Sequence, residues 1–224
     1  MAAKKNEVVE IRPLEIKQTK IRIVGDTPLI VHAWSEKAKR MMLEAQQGKK
    51  QGKQKPVRSP LDDFIQAAYW LTPKPDYPDG ADDETITAAF DKAVEDGARW
   101  GFPVTAIKQA TAAAAYRLNW VKNQMGIRGA LFFESDENGL VEIKGGVPVI
   151  REDMVKVGMG TADLRYRPQF NDWYIDLNVK YNECLGISWE NMLNAINAAG
   201  FVCGLGEWRP ERDGDFGRYH VQSI

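Results

Sequence analysis

The sequence predicts an α+β chain built as a single domain over residues 1–224 on a ferredoxin-like core, with a helical insertion at 35–100 and a β-rich insertion at 125–163. Three observations predict it: period-two alternation near both ends of the chain, two helical stretches that each follow an extended segment, and the resulting order of strand, helix, strand, strand, helix, strand. The 224 residues are 44% hydrophobic, enough for one large core, and the net charge of −1 gives no global pull toward nucleic acid or acidic membranes. Binding of either kind must therefore come from local clustering among the 30 basic residues.

The first strand falls within "LEIKQTKIRIVGDTPLIVHAW", residues 14–34, where Ile21 and Ile23 alternate and Gly25, Asp26 and Pro28 impose a bulge or bend before the apolar run Leu29–Val31. Ser35 caps a helix with Ala38, Met41, Met42 and Ala45 at helical spacing, which runs out near Gly48. Residues 48–60 carry Lys49, Lys50, Lys53, Lys55 and Arg58 without an acid, and their Gly, Gln and Pro content predicts a basic loop. Helical patterns follow at 61–71 and 84–96, the second with Ile86, Ala89, Phe90, Ala93 and Val94 on one face.

"FPVTAIKQATAAAAYRLNWVKNQ" begins extended at Pro103, offers Thr105 as a cap and continues as a helix to about Gln124, with Ala106, Ala110, Ala113 and Ala114 as a small face suited to close packing. Short strands are expected from Arg128 to Met154. The alternation of Trp173, Ile175, Leu177, Val179 and Tyr181 then implies a hairpin turning near 168–172. Ser188 caps a helix carrying Trp189, Met192, Leu193 and Ile196, Gly200 stands at its expected stop, and strands at 201–205 and 217–223 flank a glycine loop.

That loop, "GLGEWRPERDGDFGRYHV" at 204–221, raises the functional question. Gly204, Gly206, Gly214 and Gly217 allow positive φ and close backbone approach, so the loop can expose N–H groups to a phosphate while Arg209, Arg212 and Arg218 supply charge. The first turn of the helix after Pro103 adds amides and Lys108, and Arg117, Lys122, Arg128, Arg165 and Arg167 are further candidate phosphate contacts. Trp34, Tyr166, Trp208 and Tyr219 are candidates for stacking on bases, whereas Trp173 and Trp189 read as core.

Two stretches carry a family resemblance. "FPVTAIKQATAAAAYR", residues 102–117, resembles the "IPGSSLKGALR" segment of the RAMP superfamily of CRISPR proteins, with Pro103, Thr105 and Lys108 at the matching positions. The glycine stretch 204–217 resembles the C-terminal glycine-rich loop of that superfamily, and the core order matches the ferredoxin-like (RRM-like) arrangement. Nearest in pattern are the Cas-seven-type backbone subunits and their phage or mobile-element relatives. Gln109 stands where the family often has Gly, and 35–100 has no counterpart in it.

The resemblance implies a non-catalytic protein that binds single-stranded RNA or DNA and assembles with copies of itself in a helical or linear filament, with other ribonucleoprotein subunits as further partners. It also implies that the 125–163 insertion acts as a thumb. Two other readings stay open. One is a RAMP-type endoribonuclease using His32, and the other is a phage structural or assembly protein using the fold for protein interaction.

No cofactor or metal is expected: Cys184 and Cys203 stand outside any zinc or redox spacing, and no P-loop, Rossmann or nucleophile-elbow motif occurs. Free thiols, an N-terminal stretch without an apolar core and no long apolar run imply a cytoplasmic protein without a membrane partner.

Overall fold

A computed structural model describes residues 13–48, 59–157 and 160–223. The basic stretch 49–55 lies outside the described residues.

The architecture is α+β, with six α-helices and antiparallel sheets among the described residues. Four strands, β1 (Lys17–Gly25), β4 (Leu131–Phe133), β8 (Tyr174–Tyr181) and β9 (Tyr219–Ser223), form the main sheet in the order β4-β8-β1-β9. All its pairings are antiparallel. The register sets Ile21 opposite Leu177 and Ile23 opposite Ile175, so the alternating apolar residues of the two central strands share one face. Against that face pack α4 (Val104–Arg117) and α6 (Trp189–Val202) through Ile107, Ala110, Ala114, Met192, Ala195 and Ile196. Each such Ile or Leu, fully buried, stabilises the fold by about 1.5–3 kcal/mol.

Between β2 (Leu29–Ile30) and β3 (Trp100–Pro103) lie α1 (Glu36–Gln46), α2 (Pro60–Gln66) and α3 (Asp83–Glu95). Their starts follow from side-chain caps: Ser35 Oγ accepts from the Ala38 amide at 3.1 Å, Ser59 Oγ from Asp62 at 3.3 Å and Asp82 Oδ1 from Thr85 at 2.9 Å. Phe64, Ile65 and Ile86 form a small second core between α2 and α3, reached by the half-buried Tyr166.

Residues 125–163 are shared among several layers. They begin in α5 (Gln124–Ala130), continue through β4 of the main sheet and β5 (Leu140–Ile143) paired with β3, and end in β6 (Val149–Val157) and the start of β7 (Thr161–Phe170). A second sheet of three strands has the order β2-β7-β6.

Several local expectations change. The helix at 103–124 is two helices: α4 ends at Arg117, and Asn123 caps α5 through its Oδ1, so Arg128 is helical rather than in a strand. Pro103, not Thr105, occupies the N-cap of α4, and no side chain caps it. The hairpin expected at 168–172 does not form, because β7 pairs with β6 and β2 while β8 pairs with β1 and β4. What reads as a turn is the corner where the chain changes sheets, fixed by the buried Trp173, whose Nε1 donates to the Thr27 carbonyl at 2.8 Å.

The expected strand at 201–205 is also absent. Gly200 does not stop α6, which runs on to Val202 and closes only where Gly204 turns left-handed at φ 64° and donates to the Ala199 carbonyl. Gly200 serves packing instead, since a Cβ there would lie 1.8 Å from the Tyr219 carbonyl oxygen. Gly200→Ala must push α6 off β9, and the expected outcome is a loss of about 1–3 kcal/mol in chemical denaturation, the usual cost of overpacking. An unchanged midpoint would show that this contact is not tight.

Candidate nucleic-acid interface

The helix after Pro103 and the glycine loop meet across one cleft of about 350 Å3, whose walls include His32, Gln109, Gln124, Arg128, Glu207 and Arg209. Pro103, Ala106, Ala110 and Ala113 form the α4 wall, and Gly204, Leu205 and Gly206 the opposite one. The small residues of α4 thus make room for the loop. A second cleft of about 460 Å3 contains Trp34, Asp62, Asp63, Gln66, Arg165 and Tyr166. His32 lines both, so the two clefts adjoin at that residue.

The loop is not the open amide nest that its composition suggests. Gly204, Leu205, Glu207, Glu211, Gly214, Phe216 and Gly217 all donate their amides to carbonyls, including those of Ile30, Pro28 and Trp208. Positive φ at Gly206 (75°) and Gly217 (67°) brings the backbone against itself and β2: a Cβ on Gly206 would meet the Ile30 carbonyl oxygen at 2.2 Å, and one on Gly217 the Leu205 carbonyl oxygen at 1.8 Å. At Gly214 the same test finds the Trp208 carbonyl oxygen at 1.9 Å. These glycines serve internal packing, while the amides of Gly206, Trp208, Arg209 and Asp215 have no acceptor among the described residues.

The loop's side chains are partly neutralised. Glu211 bridges two of the expected cations, taking Arg117 Nη2 at 2.6 Å and Arg209 Nη2 at 3.0 Å, while Arg209 Nη1 donates to the Gly206 carbonyl at 2.9 Å. Arg165 pairs with Asp163 at 2.8 Å. Arg167 is buried at 6% exposure against Asp153, 3.2 Å away, with Glu207 at 3.9 Å, so it is an internal ion-pair member rather than a surface phosphate ligand. Arg128 is exposed at the cleft and donates to Gln124 Oε1 one turn earlier.

Other candidates lie away from the cleft. Lys108 turns toward Phe132, with its Nζ 3.5 Å from the ring centroid, and burial lowers its pKa, with Arg128 acting in the same direction. Lys122 is exposed in the bend before α5, and Arg212 is exposed in the single 3-10 turn Pro210–Arg212. Arg218 is half-buried where its amide donates to Thr27 Oγ1 at 2.9 Å. Of the stacking candidates, Trp34 is 60% and Trp208 39% exposed, but Tyr219 is 2% exposed and packs on Trp173 in the core, so it offers no face to a base. Trp173 is core as expected, and Trp189 is half-buried against Tyr181, with ring centroids 4.5 Å apart.

Sequence reasoning missed Tyr69, whose hydroxyl donates to the His32 carbonyl at 3.4 Å, and the four carboxylates Asp62, Asp63, Glu207 and Glu211. No motif marks them, because they reach the clefts from the helical insertion and from inside the loop itself. Among the described residues no group of three or more His, Cys, Asp or Glu is placed to hold a metal ion, and no helix is long and apolar enough to cross a membrane. No family model and no curated protein matches the sequence.

His32 is the titratable group at the junction. Burial is the main cause that lowers its pKa below the ordinary 6.5, the Arg167 cation adds to this, and Glu207, with Oε1 3.8 Å from Nδ1, opposes it. A lowered histidine pKa stabilises the fold above pH 6.5, and that contribution is lost as the pH falls through the folded value. Thermal unfolding of the wild type is expected to lose more stability below pH 6.5 than His32→Gln does. Equal losses would place the titration elsewhere.

Proposed function

We propose that the protein is a non-catalytic single-stranded nucleic-acid-binding subunit of RAMP-like, ferredoxin-like descent, and that the strand runs through the two clefts across His32. The observation that carries this reading is the convergence of α4 and the glycine loop on one cleft, which shares His32 with a second holding Arg165 and the exposed Trp34. The strand order β4-β8-β1-β9, with α4 and α6 on one face, supports the ferredoxin-like core. Arg128 and Arg165 are the phosphate contacts, Trp34 is the stacking platform, and Arg209 joins once an incoming phosphate takes the place of Glu211. Assembly along the strand with copies of the same chain completes the proposal.

Fluorescence anisotropy with labelled single-stranded RNA and DNA across a salt series tests it. Arg128→Ala and Arg165→Ala are each expected to weaken binding and to lower the slope of log K against log salt by about 0.7, the share of one phosphate on a single strand. Trp34→Ala is expected to cost about 1–3 kcal/mol while leaving that slope unchanged. An absence of binding at low salt would sink the reading and leave a protein-interaction module.

One observation favours the alternative reading, a RAMP-type endoribonuclease on the same fold. His32 lines both clefts, and burial favours its neutral form, the one that takes a proton from a ribose 2′-hydroxyl. In that case RNA is cut, DNA is not, and His32→Ala stops cutting while binding persists. RNA that stays intact with the wild-type protein returns His32 to a structural role.

A further inference from the structure

The free edge of β6 carries an inference that stands apart from nucleic-acid binding. β6 is the end strand of its sheet: β7 covers one side, in a register that sets Met154 opposite Leu164, and no hydrogen bond of the described residues covers the other. Long edge strands are ordinarily protected by proline, a bulge, a covering segment or charged side chains, because their unpaired amides and carbonyls template pairing with another chain. Among the described residues no proline, bulge or hydrogen-bonded segment protects β6 from Val149 to Lys156, which leaves its own charges, Arg151, Glu152, Asp153 and Lys156, as the guard against indiscriminate pairing. Its outward face reads Ile150, Glu152, Met154, Lys156, with Ile150 44% and Met154 73% exposed, and the neighbouring Leu164 is 42% exposed.

Charge adds a second observation. Several strand charges elsewhere are matched within the chain, as in Arg22 with Asp176, Lys180 with Glu134 and Arg165 with Asp163, although Lys20 on β1 and Glu142 on β5 are not, among the described residues. Glu152 and Lys156 are exposed and have no ion-pair partner among the described residues. Within one strand they sit four residues apart on the same face, spaced to meet each other in a second, antiparallel copy.

We propose that two copies of the chain pair antiparallel through β6 about a two-fold axis at Met154, joining their three-stranded sheets into one of six strands. In this register Glu152 of each copy lies opposite Lys156 of the partner subunit, and the two Met154 side chains meet on the axis. Registers that keep outward face on outward face but centre on Glu152 or on Asp153 place two carboxylates opposite each other. The Met154 register is the one in which the charges complement, and like charges directly opposed across strands destabilise. Such a contact is closed and isologous, unlike the head-to-tail contact that a filament along a strand requires.

Sedimentation equilibrium of the full chain, without nucleic acid, tests it, so failure here leaves the binding reading untouched and failure there leaves this one. A dimer is expected for the wild type, with Lys156→Glu dissociating about tenfold more readily because both pairs become repulsive. The exchange Glu152→Lys with Lys156→Glu restores the pairing and is expected to recover wild-type association. In a Cys184→Ser background, which removes the exposed native thiol, Met154→Cys is expected to give a disulfide-linked dimer on mild oxidation. A monomeric wild type, a Lys156→Glu chain that associates normally, an exchange that fails to recover, or a Met154→Cys chain that does not cross-link each overturns the proposal.

Discussion

The contact between α6 and β9 at Gly200 is the constraint on which the rest of the molecule depends. With no side chain at that position the helix axis comes down to the Tyr219 backbone, and Met192, Ala195, Ile196 and Ala199 are carried into the core beside α4. The same approach fixes where the helix ends, at the left-handed Gly204, and so where the loop begins. From there the amides of Glu207 and Gly217 knit the loop to β2 and to the segment before it, donating to the Ile30 and Pro28 carbonyls. The wall of the main cleft is therefore rigid backbone whose shape is inherited from the core, and function is left to the side chains that project from it.

Electrostatically the clefts are mixed rather than basic. Arg117, Arg209, Arg165 and Arg167 all have carboxylate partners in the free chain, and the Glu211 bridge holds two guanidinium groups at once. Apart from the buried Arg167–Asp153 pair, these are partly exposed pairs, which stabilise a fold by at most about 1 kcal/mol. Their better-supported role is to set geometry: Arg209 is held between Glu211 and the Gly206 carbonyl, which fixes the direction of its fork toward the cleft.

Much of the core was legible because its signals are local. The alternation of Ile21 and Ile23 and of Ile175, Leu177 and Val179, the caps at Ser35 and Ser188, and the helical spacing of Met192 and Ile196 all return in the structure. Gly200 and the 168–172 corner misled because their meaning is tertiary: a glycine that admits a neighbouring strand has the same letter as one that ends a helix, and a corner between sheets has the residues of a turn. Tyr219 alternates like a surface strand residue yet faces inward, because β9 joins the main sheet beside β1 and inherits its buried face. At the site, Pro103 and the glycine loop converge as the sequence suggests, but Lys108 points to Phe132 and the carboxylates arrive unannounced.

Glu211 gives the main cleft a built-in competitor. Any anion that enters near Arg209 must evict a tethered carboxylate, and any anion that leaves is replaced by it at once, so the guanidinium groups never wait bare. An internal counter-ion of this kind is present at constant local concentration whatever the solution, unlike dissolved salt ions. If the cleft binds a nucleic acid as proposed, such a counter-ion would favour rapid turnover over long residence and would filter out weak anions that cannot displace a carboxylate.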